Sequence, residues 1–197
     1  MMLTFNHNVV AALDLETTGL IDGYHEIVQI ACVPLTPNLD PMQVSPFYMN
    51  IRPDHPERAD PDAMRVNRLD MEMLLGCPDQ FQVADCFDTW WESLELPMYK
   101  RLIPLTQNAP FDIPFMKHWL GVRGYEKYFT RRGRDTMFAA LALNDQAAWK
   151  NRPIPFDKVG LRELCTKLGV QLDNHHDALA DCLATAKVYR ELLRLEA

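Results

Sequence analysis

Apolar positions fall into two regimes along this chain. Over the first quarter they come in short dense runs, and beyond residue 60 they recur at intervals of three and four. The first run, Val9 to Leu13, leads straight into Asp14-Leu15-Glu16 and reads as a buried strand over residues 9–16. Glu26 to Leu35 is β-branched and mostly apolar, and predicts a second strand. Asp22-Gly23-Tyr24-His25 between them suits a hairpin-like connection. Val44 to Ile51 predicts a third strand, which Pro46 pushes toward a sheet edge or a bulge. Consecutive strands with short connections imply an antiparallel meander.

The period then changes. After a Pro- and Asp-rich loop over residues 53–61, short helices are expected at Asp62–Val66 and Leu69–Leu75. A longer one is expected from Asp79 to Leu94, with Phe81, Val83, Ala84, Phe87, Trp90, Trp91 and Leu94 at helical spacing. Leu102 to Gln107 predicts a fourth strand despite Pro104, and Pro110 to Leu120 a helix stopped by Gly121. Met137 to Leu143 reads as helix, Asn144 to Val159 as loop, and Leu161 to Leu168 as a short amphipathic helix ending at Gly169. Asp177 to Glu196 closes the chain as a long helix. Strands first and helices afterwards give an α+β or α/β fold, and 197 residues without a linker suit one domain over 1–197.

Composition narrows the class. No apolar run approaches the ~20 residues of a membrane span, and the first residues lack a signal-peptide pattern. Cys32, Cys77, Cys86, Cys165 and Cys182 are scattered and form no CxxC pair, which argues against a disulfide framework or a structural zinc site. A reducing, cytoplasmic setting and no membrane partner follow as expectations. The net charge of −7 disfavours a protein that coats nucleic acid, but not an enzyme that grips a short piece of it. Lys127, Arg131, Arg132 and Arg134 form a local basic cluster, with Arg65 and Arg68 elsewhere; each reads equally as a solvated face.

Candidate chemistry lies at three places. Asp14 and Glu16 alternate along a strand and so share a face at its end, just before the turn residues Thr17-Thr18-Gly19. Two adjacent carboxylates repel unless neutralised, and a divalent cation is the usual neutraliser; the plainer reading is a solvated strand end. Asp112 stands among apolar residues at a helix start, where an acid also serves the helix dipole. Asp181 falls inside the apolar pattern of the last helix, preceded by His175, His176 and Asp177, of which Asp177 reads equally as a cap.

Taken together, Asp14-x-Glu16, Asn108-Ala109-x-Phe111-Asp112 and His176-x-Ala178-x-x-Asp181 resemble the motifs of the DEDDh 3′–5′ exonucleases. Arg134-Asp135-Thr136-Met137 and Leu161 to Val170 resemble further segments of that family, so the likeness runs from about residue 9 to about 193. Gln107 and Asn67 depart from it, standing where relatives often have histidine. The resemblance implies an RNase H-like α/β fold, with a mixed central sheet made of the meander plus further strands and flanked by helices. It implies hydrolysis of phosphodiesters from the 3′ end of single-stranded nucleic acid, DNA favoured, releasing nucleoside monophosphates. Asp14, Glu16, Asp112 and Asp181 would hold two Mg²⁺ or Mn²⁺ ions ~4 Å apart, the ions that hard oxygen ligands select. His176, which alone has the family's spacing to Asp181, would be the general base, with His175 the competing candidate. Thr17, Leu20, Asn108 and Phe111 would meet the terminal nucleotide, although for Leu20 and Phe111 core packing is an equal expectation. The same resemblance allows an exoribonuclease that trims RNA or degrades oligonucleotides, or a non-catalytic binding module, and it allows a polymerase or a second copy of the chain as partner. An HD-type phosphohydrolase, suggested by His176-Asp177, is disfavoured by the opening strands, since that class is all-helical.

Overall fold

The computed structural model describes residues 8–195. Strand β1 (Val9–Thr17) is buried along nearly its whole length, because it lies inside a five-stranded sheet of order β3-β2-β1-β4-β5. On one side it pairs antiparallel with β2 (Ile27–Pro34), and β2 pairs antiparallel with β3 (Phe47–Asn50). On the other side β4 (Leu102–Thr106) runs parallel to β1, and β5 (Arg134–Asp135) parallel to β4. The expected meander is therefore one half of a mixed sheet. Its ladder shifts register between Glu16 and Thr17, a bulge that ends regular pairing where the strand delivers its second acid.

Alternation along β1 sorts its side chains between two cores. Ala11, Leu13 and Leu15 pack with Phe87, Phe115 and Phe129, under α3 (Gln80–Ser93) and α4 (Ala109–Tyr128). Val10 and Ala12 face the other way, joining Ala31, Val33 and Leu105 against Ala178, Cys182 and Ala186 of α7 (Ala178–Leu192). By the same alternation Asp14 and Glu16 point to the α7 side. The outer flank of α7, through Ala184, Val188 and Leu192, packs on α5 (Thr136–Trp149) and α6 (Leu161–Leu168), so α7 is buried on two sides. Two short helices, α1 (Pro61–Asn67) and α2 (Met71–Leu75), complete the chain. Aspartates cap most helix starts: Asp60, Asp70, Asp79, Asp135 and Asp177 each accept backbone N–H groups of the first turn.

Several boundaries differ from those the sequence predicts. The third strand spans only Phe47–Asn50, since Pro46 cannot donate to the ladder. Pro104 is accommodated because pairing with β5 starts at Leu105, the residue after it. Gly121 interrupts the helix as expected, at a non-helical φ of 69° and ψ of 155°, and a second helical stretch, counted with α4, follows it to Tyr128. Helix α5 continues to Trp149, so the expected loop at Asn144 to Val159 begins only after it; Gln146-Ala147-Ala148 favours helix and Pro153 lies too far on to interrupt. Two-residue β5 is too short to leave a periodic signal. The predicted end of the last helix at Glu196 lies outside the described residues, and α7 ends at Leu192. Among the described residues no helix is long and apolar enough to cross a membrane.

Candidate active site

The parallel placement of β1 and β4 and the packing of α7 bring the predicted acids together. Carboxylate oxygens of Asp14, Glu16 and Asp181 all lie within 4.8 Å of one another. Asp181 reaches the pair from the first turn of α7 and is buried at 4% exposure; Glu16 is 9% exposed. Asp112, in the first turn of α4, is 2% exposed and close enough to Asp14 for the two charges to act on each other. None of the four ion-pairs with a lysine or arginine among the described residues; the only cation-capable partner is His175, against Asp181.

Burial and mutual repulsion push these carboxyls toward the protonated form. Asp14 is raised well above the ordinary aspartate value, first by burial, then by the charges of Asp112, Asp181 and Glu16. Glu16 is pushed up to about 8 by burial, then by Asp181 and Asp177. Asp112 is also raised, chiefly by burial, against the opposing pull of backbone N–H groups including that of Leu15. A dense set of oxygen donors with excess negative charge, and no lysine or arginine paired to it among the described residues, suits a divalent cation.

This repulsion makes stability depend on pH. Glu16 binds its proton more tightly in the folded chain than in the unfolded one, so with no cation bound the folded state is favoured below the ordinary value of 4.5. That contribution, on the order of a few kcal/mol, is lost as pH rises toward about 8. In EDTA the thermal midpoint is expected to fall more steeply between pH 5 and 8 than in saturating Mn²⁺. Superimposable melting curves with and without the cation across that range would contradict the assignment.

The two histidines divide the contacts to Asp181 differently from the spacing argument. The His175 ring presents Nδ1 to both Asp181 oxygens, at 3.1 and 3.0 Å, while His176 donates its backbone N–H to Oδ2 at 3.3 Å. The rings stack with centroids 3.8 Å apart, and His176 takes a left-handed φ of 69° that carries the chain into the helix cap. A ring nitrogen of His176 also lies within 4.8 Å of both His175 and Asp181. Burial, followed by the charge of His175, lowers the affinity of His176 for a proton, which keeps its ring neutral near pH 7 and able to accept one.

The turn after Glu16 is built to hold a shape. The Thr17 hydroxyl donates to the Gly19 carbonyl at 2.6 Å, and Asn67 Nδ2 donates to the Thr17 carbonyl at 3.1 Å. A Cβ on Gly19 would stand 2.3 Å from the His25 ring, which packs against this turn and would have to move. Leu20 beyond it is 76% exposed, which rules out the core-packing reading for this residue. It borders a cavity of about 290 Å³ together with Glu16, Thr17, Val66, Asn67 and Phe111. Phe111 is half-buried against Phe115, so it serves core and cavity alike. Asn108 takes a left-handed φ of 75° and makes no side-chain cap bond. Gln107 is structural: its amide donates to the Val159 carbonyl at 2.8 Å and accepts the Thr136 hydroxyl. Asn67, a departure from the family pattern, thus braces the turn, and sequence reasoning did not assign it that contact. Nor did it single out Gln29, although a lone amide in the apolar run of β2 is a visible signal.

A mixed sheet with buried carboxylates gathered at the end of its central strand defines a nuclease-type α/β fold. Residues 11–189 match the family model described as exonuclease, and the chain belongs to that family. It is similar to DNA polymerase III subunit epsilon of Rickettsia felis, 31% identical over 184 residues, covering 91% of this chain and 72% of that subunit. Among solved structures it resembles the zinc-bound complex of E. coli ExoI with ssDNA at TM-score 0.74 and 16% identity, over 96% of this chain and 41% of that one. It also resembles the nuclease domain of 3'hExo, a DEDDh family member bound to rAMP, at TM-score 0.72 and 16% identity, over 98% and 94%. The chain spans less than half the length of the ExoI chain it matches. The fold is the expected RNase H-like one.

Proposed function

We propose that residues 1–197 form a single cytoplasmic exonuclease domain that removes nucleoside monophosphates from the 3′ end of single-stranded nucleic acid, DNA in preference to RNA. The observation that carries this reading is the buried cluster around Asp14, whose negative charge no lysine or arginine side chain among the described residues neutralises. Asp14, Glu16, Asp112 and Asp181 would hold two Mg²⁺ or Mn²⁺ ions. Bound there, such ions would balance the carboxylates, acidify water and offset charge on the phosphate. His176 accepts the proton of the attacking water on a ring nitrogen, and His175 fixes Asp181 through Nδ1. Leu20 and Phe111 offer apolar surface to the terminal base, which tolerates any base, while Thr17 and Asn108 offer polar groups to its sugar and phosphate. Similarity to a polymerase III subunit supports a polymerase as partner.

Labelled single- and double-stranded DNA and RNA oligonucleotides, incubated with Mg²⁺, Mn²⁺ or EDTA, test the reading. Stepwise loss of mononucleotides from the 3′ end is expected with either cation, fastest on single-stranded DNA, and none in EDTA. Undiminished cleavage in EDTA, internal cuts, or intact substrates in every lane would overturn it. Faster loss from RNA would move the substrate class and leave the chemistry standing.

A further inference from the structure

Helix α7 begins directly after Asp177, so its first turn sets where the preceding His176 stands. That turn is tied to the sheet by a buried amide. Gln29 on β2 is 2% exposed, and its register places it between Glu16 on β1 and Asn50 on β3. Its carbonyl oxygen accepts the Ala178 N–H at 2.9 Å, and its amide group donates to Asn50 Oδ1 at 2.8 Å and to the Tyr48 hydroxyl oxygen at 3.1 Å. The Tyr48 hydroxyl donates in turn to Asp177 Oδ2 at 2.5 Å, while Asp177 Oδ1 caps the helix at Ala180. The first turn of α7 is therefore bound to the sheet at two neighbouring residues, Asp177 from β3 and Ala178 from β2.

Packing alone does not call for this arrangement. Gln29 shares the face of Ala31 and Val33, and every residue of β2 is buried, so packing alone would favour an aliphatic side chain there; the polar demand comes from the buried Ala178 N–H at the start of α7. The glutamine instead has both ends of its amide satisfied, and both lead toward the histidine turn. Tyr48 is 40% exposed, so burial does not oblige its hydroxyl to find a partner within the protein. The phenol is pushed up to about 12 by burial and by its bond to Asp177, which keeps it a donor across the working range.

We propose that Gln29 and Tyr48 are positioning residues: they fix the turn that carries His176 relative to Asp14 and Glu16, and affect hydrolysis through that histidine. The inference rests on the assignment of His176 as the base. Tyr48→Phe removes one half-exposed hydroxyl and no buried volume, so its fold is safe. Its kcat on a single-stranded DNA oligonucleotide with Mn²⁺ is expected to drop about tenfold, the effect usual for residues that orient a catalytic group. KM and the thermal midpoint should stay at wild-type values, which a merely structural contact would not predict. In a His176→Ala background the same substitution should lower the residual rate less than twofold, because the group it positions is gone. Gln29→Leu provides an independent variant with the same expected pattern in kcat and KM, but with a lower thermal midpoint, because the buried Ala178 N–H loses its acceptor. A wild-type kcat in Tyr48→Phe beside a crippled His176→Ala protein overturns the proposal alone, as does a tenfold loss that persists in the His176→Ala background. A wild-type rate in His176→Ala by itself would overturn the base assignment, and this proposal with it.

Discussion

Asp14→Asn is expected to slow release of 3′-terminal nucleotides by about a thousandfold or more, while the metal-free protein becomes harder to melt. The rate loss follows from position. Asp14 lies at the centre of the cluster, within reach of Glu16 and Asp181 and under the charge of Asp112, so it is the carboxylate best placed to hold the cations. Losing several kcal/mol of charge stabilisation corresponds to a factor of that size. The gain in stability follows from the same crowding. The asparagine keeps the shape and removes a buried carboxyl that its neighbours repel, which relieves ~1–3 kcal/mol and raises the midpoint by roughly 3–10 °C for a chain of this size. Saturating Mn²⁺ should erase the difference or reverse it. Paired measurements of rate and midpoint check the assignment, and an Asp14→Asn protein that cleaves normally, or melts lower in EDTA, contradicts it.

His176→Ala is expected to lower kcat about 10²- to 10³-fold with KM little changed, the range for loss of a positioned general base. The wild-type rate should fall on the acid side as the ring takes a proton, with a midpoint below the ordinary 6.5, because burial and His175 hold its affinity for protons down. In the variant that limb should vanish, leaving a rate that climbs with hydroxide. A pH–rate profile of both proteins decides. Should His175→Ala abolish the limb and His176→Ala retain it, the base is His175, whose Nδ1 already faces Asp181.

The gathering of the four acids was more legible than the elements around them, for a physical reason. Acids are common here, but most of those that begin helices are caps, and Asp60, Asp70, Asp79, Asp135 and Asp177 show it by accepting first-turn N–H groups. Asp14, Glu16, Asp112 and Asp181 sit instead inside apolar patterns, where an unpaired charge costs most, and that cost is visible in one dimension. The meander and the two-period pattern were equally visible. The run of α5 past Leu143 was not, since its later turns are held by helix propensity without an apolar stripe. The resumption of α4 beyond Gly121 was hidden because a glycine with positive φ reads as a stop whether the chain ends there or only bends. The contacts of Asn67 and Gln29 depend on strand register and loop packing, which no local pattern encodes.

Burial of α7 on two sides has a consequence for how the molecule opens. A helix clamped between the sheet and α5–α6 cannot detach without exposing both cores, so α7, β1 and β2 belong to one cooperative unit that separates only at the cost of global unfolding. Asp14, Glu16 and Asp181 all lie in that unit. Leu20 and Asn67 lie in a turn and a short helix outside it, and the Asn67 amide, bonded to the Thr17 carbonyl, is what couples that turn to the unit that holds the acids.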